Sequence, residues 1–366
     1  MLRSIRLQNF KCFADQTVAL GPLTLLSGQN GTGKSSVIQS LLLLKQSYAH
    51  GLIHGLMLNG ELVSLGTATD VLYEGAPNEI VTVSVESDSD DPWNATSSLP
   101  FDASHPNADV LHLHVGQEVG SMLSLEGLKY LAAERIGPRD AHITSDYHVA
   151  SLGDVGSDGA YAVAFLHEHA RRVVHPSMCK TNADSNRLID QVAAWLGEVS
   201  PGVRLDTERS RSMSRAALLV SFRSGAVTSR KLRPTGVGFG VSYTLPILLA
   251  LLASEAGSIV LLENPEAHLH PRGQMAMGEL MAAAAAAGTQ VLVETHSDHV
   301  LNGVRLAVKR KTLAPADVRL HYFSRADDGV RIVHRLTSPA IDTDGRLDTW
   351  PEGFFDQWDR ALEELL

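Results

Sequence analysis

Cysteine is scarce in this chain of 366 residues: there are 2, Cys12 and Cys179, far apart and without a C-x-x-C partner. That excludes a disulfide scaffold and a cysteine-built zinc site. Long apolar runs are missing as well, since the longest surrounds residues 245–253 and a bilayer span needs roughly 20. Met1-Leu2-Arg3 leads into strand-like alternation instead of a basic stretch followed by an apolar one. No export signal and no membrane partner are therefore expected, and the cytoplasm is the expected location. In that setting the sequon Asn94-Ala95-Thr96 has no role. There is no excess of positive charge either: 31 Lys and Arg stand against 41 Asp and Glu, a net charge of −10. Sequence-blind wrapping of nucleic acid is disfavoured, while a local basic face, and with it a nucleic-acid partner, stays open. Nothing between about 75 and 230 repeats or sustains heptads, which excludes a long coiled coil there. What is left is an ordinary globular composition, 44% hydrophobic and 20% charged, with the length of one large domain or two intimate ones.

Against that background residues 23–42 stand out. Leu23-Thr24-Leu25-Leu26 reads as a buried strand, a glycine-rich turn follows, and Ser35 opens a segment with Val37, Ile38, Leu41 and Leu42 at helical spacing. Within it Gly28-Gln29-Asn30-Gly31-Thr32-Gly33-Lys34-Ser35 fits G-x-x-x-x-G-K-[ST] without mismatch, and the strand-loop-helix context makes it a phosphate site. The glycines let successive N–H groups face one concavity, to which the helix N-terminus adds positive charge. A triphosphate fits there. The expected nucleotide-binding residues are Gly28, Asn30, Gly31, Thr32, Gly33, Lys34, Ser35 and Ser36. Lys34 would bridge the β- and γ-phosphates, facing solvent until ATP arrives, and the Ser35 hydroxyl would ligate Mg²⁺.

Ile5, Leu7 and Phe10 suggest a strand before this loop, and Thr17-Val18-Ala19-Leu20 a second. Beyond it, Ile80 to Val85 alternates as a strand, and residues 88–108 read as a surface loop. Residues 112–115 and 128–131 look like further strands. The turn Glu134-Arg135-Ile136-Gly137-Pro138-Arg139 sets two arginines at a Gly-Pro corner. They could face a phosphate, a partner acid or a nucleic-acid backbone, or serve a structural turn. Helical patterns cover 161–173 and 186–196, and a hairpin is expected from 216–222 and 226–231.

The second half carries more of a nucleotide machine. A glycine-rich stretch, Thr235 to Ser242, precedes an apolar helix over 243–252, and Gly238, Gly240 and Ser242 make it a second candidate anion site. Four apolar residues then lead to Glu263, at the strand end where open α/β sheets bind ligands. Glu263 would hold Mg²⁺ as the Walker B acid. A helix over 273–287 ends at Gly288, and a buried strand over 290–294 delivers Thr295-His296-Ser297 to the same edge. The spacing of His268, His270, His296 and His299 beside Glu266 also fits a metal site.

Taken together, Asn9-Phe10-Lys11, the phosphate loop, the glycine stretch, Glu263-Asn264-Pro265-Glu266-Ala267-His268-Leu269-His270-Pro271 and Thr295-His296-Ser297 resemble the stand-alone ABC-type ATPases of the AAA15/AAA21 group. These are relatives of the OLD-family, RecF and SMC ATPase heads. Residues 350–357 look like the closing segment of one subgroup of predicted ATPases. The resemblance implies an α/β, ABC-type P-loop NTPase fold. It has a mixed central sheet, an N-terminal antiparallel β-subdomain, and a globular insertion in place of a coiled coil. The expected division is 1–75 and 233–366 for the two parts of the ATPase domain and 76–232 for the inserted lobe. It also implies that Lys11 can approach the phosphates, and that the Gly238–Ser242 stretch meets the γ-phosphate of an opposite subunit. A homodimer or higher even oligomer then forms around Mg-ATP. A separate effector in a bacterial defence or DNA-transaction complex is implied as well. In this group a glutamate that polarises water follows the Walker B acid, and here Asn264 holds that place. Hydrolysis is expected to be slow and partner-stimulated, with Glu266 or Glu294 taking part of the base role and His296 sensing the γ-phosphate. The alternatives are a scaffold that binds ATP with little turnover and an OLD-like nuclease subunit. Only about seventy residues follow His296, too few for the nuclease domain.

Overall fold

Valine at every second position makes Ile80–Ser87 a strand: Val81, Val83 and Val85 are buried, and the residues between them are not. In the computed structural model, which describes residues 1–52, 54–88, 96–114, 125, 127–327, 332–355 and 365, this strand sits inside an antiparallel sheet of six. The order is Phe13–Ala19, Leu2–Phe10, Ile80–Ser87, Thr96–Asp102, Val110–Leu113, Gly55–Met57. Thr96–Asp102 falls within the stretch expected to be a surface loop. Among the described side chains of residues 97–102 only Leu99 and Phe101 are buried, and Pro100 lies between them opposite Thr82, so the apolar alternation is too short to show against Ser, Asp and Pro.

This sheet belongs to one of two compact units, Met1–Gly127 with Val318–Ala340 and Leu347–Leu366. The same unit holds Leu23–Gly28, parallel to Val318–Asp327, which pairs antiparallel with Ile332–Thr337. The helix Lys34–Ala49 follows the phosphate loop, with Val37, Ile38, Leu41 and Leu42 buried as their spacing predicts. Full burial of each such side chain is worth about 2 kcal/mol.

The second unit is Leu128–Asp317 with Ile341–Arg346. Three of its strands run parallel, Leu128–Leu131, Ile259–Glu263 and Gln290–Glu294, with Ile259–Glu263 in the middle. Strands buried on both faces read as continuous apolar runs, which is how these appear in the sequence. Helices Phe239–Leu252, Pro271–Ala286 and Asp298–Lys309 belong here, as do Ala162–His169 and Leu188–Leu196, inside their expected ranges. A second sheet consists of Val203–Ser210, Arg215–Ser224 and Val227–Thr228, with His142–Ile143 on Arg215–Ser224. The strand Val203–Ser210 has only two apolar residues in eight and left no periodic signal. Among the described residues no helix is long and apolar enough to cross a membrane. The chain is thus a mixed α/β protein with several sheets, an antiparallel one at its N-terminus.

Candidate functional site

Gly28 and Gly33 of the phosphate loop are there for a steric reason. Gly28 has φ 135°, and a Cβ on it would lie 2.1 Å from the carbonyl oxygen of Phe323 on the parallel neighbour strand. Gly33, φ 106°, caps the helix, and a Cβ there would lie 2.4 Å from Phe13 Cζ and 2.7 Å from Cys12 Sγ. No L side chain fits either place. Thr32 is fully buried, its hydroxyl donating to the Gln29 carbonyl at 2.7 Å. The Thr32 carbonyl lies 3.1 Å from His334 Nδ1, so that nitrogen carries the proton. Phe13 packs against both His334 and Phe323. Ser36 is buried, with a hydrogen bond between its side chain and Cys12, whose thiol is pushed up by burial. Gln29, Asn30 and Gly31 form the exposed tip, and Ser35 is half-buried at the helix start.

Lys34 corrects one expectation. It does not face solvent: it is 3% exposed, and its ammonium donates to the carbonyls of Gly28 at 3.0 Å and Gln29 at 2.7 Å. A buried ammonium must be hydrogen-bonded, and carbonyls of the loop itself accept from it here. Lys11 has φ 53° at the corner between the first two strands. Its ammonium donates to Gln39 Oε1 at 2.8 Å, on the helix one turn beyond Ser35, and burial lowers its pKa.

In the second unit Glu263 ends the middle parallel strand. Burial and the charge of Glu294 push its carboxyl up, opposed by the Ala133 N–H at 3.3 Å and the Tyr130 hydroxyl. Tyr130 is itself pushed up, chiefly by burial. The turn over residues 134–139 is structural at Arg135. This residue is buried, and its guanidinium donates to the carbonyls of Ala132, Glu263 and Asn264, each at 2.8 Å. Arg139 is exposed. Asn264 has φ 44°, a left-handed conformation that asparagine tolerates better than most residues, and its N–H donates to the Glu294 carbonyl at 2.9 Å.

Glu266 reaches the switch segment directly. One of its carboxylate oxygens accepts from the Thr295 hydroxyl at 2.8 Å and the other from the His296 N–H at 2.7 Å. Thr295 and Ser297 are buried while His296 is exposed, held between two anchored neighbours. Ser297 caps Asp298–Lys309 by accepting from the Val300 N–H, and donates to Gln274 Oε1 at 2.5 Å. The replacement Glu266→Ala would orphan both donors, at a cost of about 1–3 kcal/mol. The expected outcome is faster amide exchange over residues 294–298, measured by hydrogen-exchange mass spectrometry.

The glycine stretch is shorter than expected. The helix begins at Phe239 with Gly238 as its cap, φ 93°, so Gly240 and Ser242 lie within its first turns and the Ser242 hydroxyl is buried. Phe239, 53% exposed, stacks on His268 at 5.4 Å, and Tyr243 meets the same ring edge-on at 4.4 Å. His270 caps Pro271–Ala286. Among the described residues no three His, Cys, Asp or Glu side chains gather as a metal-holding group, so the histidine-rich spacing does not assemble a metal site.

The fold is that of an ABC-type ATPase head. It is similar to the Smc head bound to the C-winged helix domain of ScpA, with TM-score 0.54 and 13% identity over 93% of this chain and 98% of that one. It is also similar to the Smc head domain with an extended coiled coil bound to the C-terminal domain of ScpA, derived from Pyrococcus furiosus. There the TM-score is 0.53, with 11% identity over 100% of this chain and 99% of that one. At such identities the likeness is one of fold. Residues 1–109 match the family model "AAA ATPase domain", and residues 195–302 match "AAA domain, putative AbiEii toxin, Type IV TA system". The two matched ranges are thus those of AAA-domain models, and the fold is one shared with SMC heads. Residues 313–365 match "Protein of unknown function (DUF3696)", a range that includes the tail noted at 350–357; residues 356 and 357 lie outside the described ones. No curated protein matches the chain.

Several residues around these elements gave no sequence signal. Phe13 and His334 brace the phosphate loop, while Tyr130 and Arg135 brace Glu263. A buried arginine next to a Gly-Pro corner was the one hint available.

Proposed function

We propose that the chain is an ATP-driven switch: it binds Mg-ATP, dimerises around it, hydrolyses it slowly, and signals to a separate effector in a defence or DNA-transaction complex. The phosphate loop carries this reading, its Gly28 and Gly33 forced by Phe323, Phe13 and Cys12 and its Lys34 already holding oxygens. The AAA-domain matches over residues 1–109 and 195–302 support nucleotide binding, and the description of the second names a putative toxin of a type IV TA system.

Lys34 exchanges the Gly28 and Gln29 carbonyls for phosphate oxygens, with the N–H groups of residues 30–36 around them. Ser35 and Glu263 supply oxygen ligands suited to Mg²⁺. When bound, Mg²⁺ neutralises charge on the β- and γ-phosphates. The Asn264 amide orients the attacking water but cannot take its proton. Glu266 accepts from the Thr295 hydroxyl and the His296 N–H and so anchors the segment that carries His296. Lys11 adds charge beside the phosphates. Of the glycine stretch, Gly238 at the helix cap meets the nucleotide of a second copy, related by a two-fold axis, while Gly240 and the buried Ser242 hydroxyl belong to the helix behind it.

Light scattering of the wild-type chain with Mg²⁺, its hydrolysis being slow on this reading, tests this. Mass is expected to double with ATP and to stay monomeric without it. A particle whose mass ignores nucleotide would count against the switch.

A further inference from the structure

Glu263 and Glu294 are register partners at the last rung of adjacent parallel strands. Side chains at paired positions of a ladder project from the same face, and like charges placed so repel each other. Tyr130, from the third parallel strand, hydrogen-bonds to Glu263 and feels the charge of both glutamates. Glu294 is buried, and Glu263 is half-buried. This edge is the carboxyl end of the strands, where open α/β sheets bind ligands. The third acid nearby, Glu266, is engaged by Thr295 and His296. Two adjoining carboxylates with neither cysteine nor histidine form a hard all-oxygen donor set. Mg²⁺ characteristically takes one or two carboxylates and completes its shell with water and phosphate oxygens.

We propose that Glu294 is a second carboxylate ligand, beside Glu263, of a divalent-cation site, with Tyr130 positioning Glu263. The inference rests on the proposed function for the role of Glu263 and adds a ligand that the phosphate-loop pattern does not specify. It also gives the strand Gln290–Glu294 a second task besides carrying the switch segment.

Mn²⁺ is the probe, followed by electron paramagnetic resonance on the whole nucleotide-free chain. The wild type is expected to take up one Mn²⁺ per chain, and Glu294→Gln to bind it about tenfold more weakly or worse. Glu294→Asp, which keeps the charge, should retain more binding than the amide. Tyr130→Phe should weaken binding less than Glu294→Gln does. Thermal unfolding in EDTA confirms that the variants are folded. Wild-type Mn²⁺ affinity in Glu294→Gln would overturn the proposal, as would a wild type that takes up no Mn²⁺. ATP binding measured in EDTA separates the two readings: if it is absent while the Mn²⁺ pattern holds, the nucleotide switch fails and the cation site stands.

Discussion

Lys34→Ala is expected to weaken ATP binding by about 100-fold or more, roughly 2.7 kcal/mol, because the one side-chain cation built into the loop is lost. The lysine is buried against the Gly28 and Gln29 carbonyls, so its removal also leaves the loop less tightly held. Each of those hydrogen bonds contributes about 1 kcal/mol net, which should appear as a modest fall in the unfolding midpoint. Lys34→Arg separates the two effects. A guanidinium keeps the charge but cannot follow the same short path to two adjacent carbonyls, so affinity should recover only in part. Equilibrium dialysis with labelled ATP reads affinity, and calorimetry reads stability. Wild-type affinity in Lys34→Ala would remove the phosphate loop from the account.

Asn264→Glu is the second large effect. It restores a carboxylate that can accept a proton from water, and turnover should rise on the order of 10²-fold. The backbone complicates the exchange. Asn264 sits at φ 44°, where a glutamate costs about 1–2 kcal/mol that asparagine mostly avoids. The variant should therefore be faster and slightly less stable, and its ATP-bound dimer shorter-lived. Steady-state phosphate release together with thermal unfolding checks both halves. An unchanged rate would mean that position 264 does not face the attacking water, or that another group already acts as base.

The conformation at Asn264 also shows where sequence reading stops. The pattern over residues 258–271 indicates a strand end, an acid and a break, and the strand Ile259–Glu263 is found there. Nothing in it shows that Asn264 turns left-handed or that Arg135 clasps the carbonyls on either side. Those contacts join residues about 130 positions apart, and periodicity carries only local information. For the same reason the sequence shows Glu266 only as a nearby acid and not that its two oxygens hold Thr295 and His296. The phosphate loop was legible because its demands are local: strand, glycines and helix start lie within twenty residues. Its braces, Phe13 and His334, were not, since His334 lies 302 positions from Thr32. The Lys34 expectation failed because it took the lysine's partner to be solvent or phosphate and left out the loop's own carbonyls. The strand Thr96–Asp102 was hidden by its composition, with two buried residues flanking a proline.

The central claim is that the chain holds ATP long and cleaves it slowly. The most direct measurement is rapid filtration of the wild-type chain with γ-labelled ATP and Mg²⁺, following bound nucleotide and released phosphate together. The account predicts one ATP retained per chain over many minutes, with phosphate appearing more slowly than about one per second, the low end of ordinary turnover. Failure to retain ATP, or phosphate release at tens per second without any partner, would contradict it.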